Sequence, residues 1–443
     1  MLPQRTTPPA ALCFRVRQGT LHPMRVVIAP DKFAGTLTAA EAASAIANGW
    51  RSAMPADDLV LTPMSDGGHG FLDTIASVFA GRRETNVDDA LGRAVGASWL
   101  FTTVAGTPIA VIESAQACGI SRLTPDELNP VTATSYGVGQ LIGAALASGA
   151  RRILVGLGGT ATNDGGAGMA QALGVRLLDA DGNDLPRGAG ALERLDRVDV
   201  SGLDKRLADV DVVAVVDVLN PLLGADGATR SFAGQKGADE ATSGRLEAAL
   251  VRYAALVADA TGVKGSADQP GAGAAGGLGF ALAAFAGATI HPGVDLVSDI
   301  LGVRAKVAHA DLVITGEGRF DAQSLRGKVP SGIAALAGEA GLPCIVLAGD
   351  VTVGRQEMRA AGVTGAYSVT DLVGSQGEAL SKPAHWLEKL AAQAAREWSR
   401  PAGEPAANPI GEAPAGPPAA PPTGQAVDQS TGSDAAPPTG MRS

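Results

Sequence analysis

The sequence predicts an α/β protein: a doubly wound parallel-sheet domain, interrupted by an inserted second α/β domain and followed by a disordered tail. Three observations predict it. Short β-branched runs alternate with segments of helical periodicity from residue 25 onward. That alternation gives way near residue 95 to a hairpin-like pair and returns from about residue 290. The chain has 443 residues, of which 46% are apolar and 59 are glycine, enough for two packed cores with many backbone-lined loops.

The elements follow in order. Arg25–Ala29 is a short buried strand, and Pro30–Thr36 a loop. Thr38-Ala-Ala-Glu41 has the spacing of a capping box, and Ala42, Ala43, Ile46, Ala47 and Trp50 recur on one helical face. Leu59–Pro63 is a second strand, ending in Met64–Gly70, with a helix over Phe71–Ala80. Val95–Thr102 and Pro108–Glu113 read as a hairpin pair, Thr134–Ala147 as a helix and Arg152–Gly156 as a strand. A polar, glycine-dense loop, Leu157–Gly168, precedes a helix over Ala167–Leu173. Val212–Val216 is a strand ending at Asp217, Arg245–Ala260 an amphipathic helix and Gly271–Gly279 a glycine cluster. In the returning half, the strand Leu312–Thr315 runs into a loop over Gly316–Lys328, and a helix over Pro330–Gly338 has its proline in the first turn. The strand Cys344–Ala348, a helix near Gln356–Ala361, the strand Ala366–Val369 and the helix Ala384–Trp398 complete the fold. The domains are accordingly residues 24–68 with 290–398, and the insertion 69–289. Strand-end loops carrying Asp beside Gly or Lys are where an open parallel sheet places its ligands.

Composition excludes several functions. A net charge of −10 and only 4% aromatics disfavour a nucleic-acid partner. Cys13, Cys118 and Cys344 are odd in number and far apart, which predicts a reducing, cytoplasmic setting without disulfides or a zinc site. No apolar run is long enough to span a membrane. Residues 1–23 lack acids, as transit peptides do, but Met24 directly precedes the first strand, so they are expected to be an extension before the natural start. Residues 399–443, rich in Pro, Ala and Gly, are expected to be disordered.

The familiar phosphate motifs are missing. No P-loop occurs, since Gly327-Lys328 is followed by Val329. Gly271-Ala-Gly-Ala-Ala-Gly276 matches a dinucleotide fingerprint, but turn residues precede it where a strand is required.

Five segments nonetheless occur in a distinctive order: VIAPDKFAGTLTAAEAA, PMSDGGHG, GLGGTATNDGGAGMAQALG, GAGAAGGLG and DLVITGEGRFDAQSLRGK. Over about residues 24–370 they resemble the bacterial glycerate kinases of the two-domain α/β type. The resemblance implies ATP-dependent phosphorylation of glycerate, in this branch to 2-phosphoglycerate, in a cleft between a Rossmann-like domain and its insertion. Two positions depart from the pattern: the lysine of the first loop is Lys32, two residues before its usual place at Ala34, and the glutamate of the second loop is His69.

Phosphoryl transfer to an alcohol needs a polyphosphate cradle, a metal holder, cations and a base. Gly158, Gly159, Thr160, Asn163, Gly165 and Gly166 are candidates for the cradle, with Lys328, because glycine N–H groups approach phosphate closely and a helix follows. Asp31 and Asp66 end two strands of one domain and are candidates for the base or for orienting the hydroxyl. Lys32, Glu317, Arg319 and Asp321 complete the catalytic set, and Gly67, Gly68 and Arg326 are substrate-binding candidates. Asp164 and Asp217, with Glu317, are candidates for Mg²⁺, which needs only one or two protein carboxylates. An acidic chain must gather such cations locally to bind ATP and glycerate. His69 and His291 are too sparse for a metal pair and read as structural. The expected partners are ATP and glycerate, with no nucleic acid and no membrane, in a monomer or homodimer. A kinase or reductase of a related small sugar acid, and a non-catalytic metabolite sensor, stand as alternatives.

Overall fold

The computed structural model describes residues 23–325 and 327–398. The readings of residues 1–22, Arg326 and residues 399–443 lie outside the described residues. The described residues form the strands β1 (Arg25–Ile28), β2 (Asp58–Leu61), β3 (Arg82–Asp88), β4 (Ala94–Val104), β5 (Thr107–Glu113), β6 (Arg152–Leu157), β7 (Arg176–Leu178), β8 (Arg197–Asp199), β9 (Asp211–Val216), β10 (Thr289–Pro292), β11 (Leu312–Phe320), β12 (Cys344–Val351) and β13 (Gly365–Ser368).

One sheet has the order β13-β12-β11-β1-β2 and is parallel throughout. The chain winds from β1 outward to β2, then returns at β11 on the other side of β1 and winds away from it. The strand order therefore reverses between β1 and β11, which opens a crevice at their carboxyl ends. The second sheet has the order β10-β9-β6-β5-β4-β3, parallel from β10 to β5 and antiparallel from β5 to β3. Strands β7 and β8 form a separate antiparallel pair.

The first sheet draws its strands from both ends of the chain and the second from the middle. They are not independent bodies: Val27 and Ala29 of β1's end, Leu154 of β6 and Val213 and Val215 of β9 share one apolar cluster with Phe71, Leu72, Val294 and Val297. The helices Phe71–Ala76 and Gly293–Leu301 lie in that shared core. On the outer face of the first sheet, Ile46 and Trp50 pack with Leu387, Leu390 and Ala394, joining the helices Ala39–Ala53 and Pro383–Trp398. The capping box at Thr38 forms as its spacing predicts.

The structure corrects one reading that bears on the site. The strand expected to stop at Thr315 runs on as β11 through Gly316, Glu317 and Gly318 to Phe320, and β12 extends beside it to Val351, past Gly349 and Asp350. The glycines are what let it continue. A Cβ on Gly316 would stand 2.2 Å from the Leu347 carbonyl oxygen, and one on Gly349 would stand 2.5 Å from that of Gly318. Charges that read as loop residues are therefore strand residues held in fixed register: Glu317 lies opposite Ala348, and Arg319 opposite Asp350.

Candidate active site

Loops following β1, β2 and β9 meet the ends of β11 and β12 around a cavity of about 460 Å³. Asp31, Lys32, Asp66, Asp217, Glu317, Arg319, Asp321 and Lys328 all line it. Residues from both halves of the first sheet and from the insertion thus share one opening at the switch point, with an apolar wall at Val369, Leu380 and Pro383. A second cavity, about 670 Å³, lies on the other side of the Asp31–Thr36 loop and is lined by Thr36, Met64, His69, Gly70, Ser121 and Gly159 among others. Asp31 and Lys32 border both cavities, whereas Asp66 and Asp217 border only the first.

Local structure fixes each group. The backbone N–H of Asp31 donates to the Gly316 carbonyl, 2.8 Å away, and the Thr315 hydroxyl donates to the Ala29 carbonyl, so the loop after β1 is stitched to β11. The Asp66 loop is clamped from below: a Cβ on Gly293, at the start of a helix, would stand 2.0 Å from the Asp66 carbonyl oxygen. Asp66 accepts the Gly68 N–H at 3.1 Å, closing a tight turn at a point where Gly67 has φ +93°.

The charges are unequal in number. Lys32 Nζ lies 3.2 Å from Asp66 and 3.7 Å from Asp31. Burial alone would lower the pKa of this ammonium, but Asp66 and Asp31 outweigh it, so Lys32 is held firmly protonated. Among the described residues the cavity's cations, Lys32, Arg319 and Lys328, are outnumbered by the carboxylates of Asp31, Asp66, Asp217, Glu317, Asp321 and Asp350. Burial and then the charge of Asp66 raise the pKa of Asp31, and the same two causes raise that of Asp217. Burial pushes Glu317 up to about 7 against a hydrogen bond from Ser324, and its Oε1 has no hydrogen-bond partner among the described residues. Such a cluster is short of positive charge.

The space between the carboxylates fits a cation. A Cβ on Gly68 would stand 3.1 Å from Asp66 Oδ1, 3.5 Å from Asp217 Oδ2 and 3.7 Å from Lys32 Nζ, so glycine keeps open the point where three charged groups converge. Among the described residues no three His, Cys, Asp or Glu side chains form a closed metal cage. Two carboxylates with an open side suit Mg²⁺, which completes its shell with phosphate oxygens and water.

The outer members differ in exposure. Arg319 is largely exposed and lies 3.6 Å from Asp350. Asp321 accepts the N–H groups of Gln323 and Ser324 and so shapes its own turn at the rim. Lys328 is the N-cap residue of the helix Val329–Glu339. Arg326 lies outside the described residues.

The glycine-rich segment after β6 divides in two. Gly158 and Gly159 belong to the site: a Cβ on Gly158 would stand 2.7 Å from the Gly68 Cα, and Gly159 lines the second cavity. Thr160, Asn163, Asp164, Gly165 and Gly166 line neither cavity. Thr160 forms a bridge to Gly119, and the Asn163 amide donates to the Thr229 hydroxyl. Asp164 is fully buried and accepts four hydrogen bonds, from the N–H and hydroxyl of Ser135 and the N–H groups of Gly166 and Gly168. These occupy the lone pairs a metal would use. A Cβ on Gly166 would stand 2.3 Å from the Ala281 side chain, and one on Gly276 only 1.9 Å from the Thr162 carbonyl oxygen. The two glycine clusters that resembled phosphate motifs therefore pack against each other, and the Gly165 N–H donates to the Gly276 carbonyl.

Asp350 and His69 line the cavities, and Glu113 stands behind His69, yet none of the three is among the site residues read from the sequence. Glu113 closes β5 and is 1% exposed, and Asp350 extends β12 into the first cavity. A carboxylate ending an apolar strand was the available signal for Glu113.

A family model described as the glycerate kinase family matches residues 26–399. A relative named glycerate 2-kinase, from Escherichia coli K12, is 43% identical over 357 residues, covering 80% of this chain and 93% of its own. A glycerate kinase of Halalkalibacterium halodurans is 42% identical over 367 residues, covering 83% and 96%. Among solved structures, a Salmonella typhimurium LT2 protein provisionally named glycerate kinase 2 matches with a TM-score of 0.71 and 41% identity, over 85% of this chain and 98% of that one.

Proposed function

Given that this chain belongs to the glycerate kinase family and is a kinase, we propose that it moves the γ-phosphoryl group of ATP to the 2-hydroxyl of D-glycerate by direct in-line transfer. The observation that carries the mechanism is the position of Asp31. It borders both cavities and stands at the point where the strand order reverses.

The nucleotide occupies the first cavity, where an apolar wall faces a charged end, and the acceptor acid occupies the second. Asp31 takes the proton of the attacking hydroxyl as its oxygen forms a bond to the γ-phosphorus and the bond to ADP breaks. Its raised pKa makes it a stronger base than an exposed carboxylate. Lys32, held at the same rim, offsets charge on the transferring group. Asp66 and Asp217 would hold Mg²⁺, which, when bound, neutralises the polyphosphate. Arg319, Asp321 and Lys328 position the nucleotide at the rim, while Gly67, Gly68, Gly158 and Gly159 let backbone approach the reactants. The domain division proposed with this reading sets residues 24–68 and 290–398 against 69–289, and the setting is cytoplasmic. Among the described residues no helix is long and apolar enough to cross a membrane.

An ADP-release assay with D-glycerate, ATP and Mg²⁺ tests this. The wild type releases ADP only when glycerate is present, and Asp31→Asn lowers kcat by about 10²- to 10⁴-fold while remaining folded. Activity unchanged in Asp31→Asn refutes the assignment of the base. NADH oxidation with a related oxo acid, in place of ADP release, favours the reductase.

A further inference from the structure

We propose that His69, oriented by Glu113, binds the carboxylate of the acceptor acid in the second cavity. This assignment rests on the glycerate kinase reading and deepens it. Glu113 is 1% exposed at the end of β5, and its Oε2 accepts the N–H groups of Gly70 and Leu72 at 3.1 and 3.0 Å. Its Oε1 is buried and receives no other hydrogen bond among the described residues, and His69 Nδ1 lies 3.1 Å from it, at ion-pair distance. A buried carboxylate oxygen requires a donor, so Nδ1 carries a proton and Nε2 is left to the exposed side of the ring. That side chain is 62% exposed and lines the second cavity.

The charge inventory of that cavity indicates what it binds. Its charged groups are Asp31, Lys32, Glu41, His69 and Asp73. Glu41 is engaged by the Thr38 cap and Asp73 pairs with Arg82. Lys32 is shared with Asp31 and Asp66 at the opposite rim. Among the described residues an imidazolium at position 69 is thus the cation left in this cavity for a small monoanion, while the acceptor's hydroxyl end reaches the Asp31–Lys32 rim. The groups acting on the ring are Glu113, whose hydrogen bond raises its pKa, Lys32, which opposes this, and Asp73, which assists. The polyphosphate, with several charges, matches the metal-fitting first cavity instead.

Steady-state kinetics across about pH 5.5–8.5 tests the assignment, using D-glycerate and, as a probe lacking the carboxylate, its amide. His69→Gln keeps a hydrogen-bonding group without the charge. It raises the KM for glycerate about tenfold or more at low pH, with kcat and the KM for ATP little changed. In the wild type the KM for glycerate rises with pH as the imidazolium loses its proton, and His69→Gln removes that rise. Glu113→Gln moves the rise to lower pH, which a merely structural role does not do. The wild type's preference for glycerate over the amide falls along the same curve, a readout that needs no variant. A glycerate KM unaltered in His69→Gln, a rise in the KM for ATP instead, or a loss confined to kcat overturns the inference while leaving the kinase reading intact. A wild type that releases no ADP with glycerate overturns both.

Discussion

Replacing Asp66 by Asn separates this residue's charge from its shape. The amide keeps an oxygen for the Gly68 N–H, now 3.1 Å away, so the turn survives. Lys32 loses its nearer partner at 3.2 Å but keeps Asp31 at 3.7 Å. The stability cost is therefore about 1–2 kcal/mol, less than the 3–5 expected when a buried charge loses its sole partner. The larger effect falls on Asp31, whose pKa is raised first by burial and then by Asp66. Both carboxylates contact the same ammonium, so they lie at most about 7 Å apart and repel by about 2 kcal/mol at an effective dielectric constant near 20. Removing that repulsion lets Asp31 ionise at lower pH. The acid limb of the kcat/KM profile, measured by ADP release at fixed Mg·ATP, should move down by about 1.5 pH units. The maximum itself should fall by about 10²-fold or more, because Asp66 also faces the metal position. A limb that stays in place or moves up, in a variant whose Tm is nearly unchanged, refutes the coupling between Asp66 and Asp31.

Gly68→Ala places a methyl among Asp66, Asp217 and Lys32; the Mg²⁺ concentration for half-maximal rate should rise about tenfold, with little change in Tm by calorimetry. Gly276→Ala puts a Cβ 1.9 Å from a backbone oxygen at φ +69°, so it should cost about 3 kcal/mol or more in urea unfolding, marking this glycine cluster as packing. Lys236 is buried, donates to the Thr162 carbonyl at 2.6 Å and has its pKa lowered by burial to about 8. Between that value and the unfolded lysine's ordinary one, the unfolded chain binds the extra proton, so stability contributed at this site rises with pH through the window. Relative to Lys236→Met, the wild type should gain up to about 3 kcal/mol between pH 8 and 10.5 in urea titrations.

The parallel sheet, its winding and the strand-end position of Asp31, Asp66 and Asp217 were legible because apolar runs ending in Asp are a local pattern. What the pattern could not carry was depth. Gly316 and Gly349 read as strand breakers, yet they are small enough for β11 and β12 to run side by side past them. Asp164, with glycines around it, reads like Asp66, but the backbone turns it toward Ser135 and the core. Gly165 and Gly166 look like a phosphate cradle until the helix Ala274–Ala286 is seen packed against them. His69 read as structural because its partner, Glu113, is 44 positions away in the next sheet.

Phosphorus NMR of the product formed from ATP and D-glycerate tests the central claim most directly. With the acceptor's carboxylate at His69 and its neighbouring hydroxyl at the Asp31–Lys32 rim, the account predicts a phosphate coupled to one methine proton, that of 2-phosphoglycerate. Coupling to two methylene protons, or no new phosphate ester at all, contradicts it.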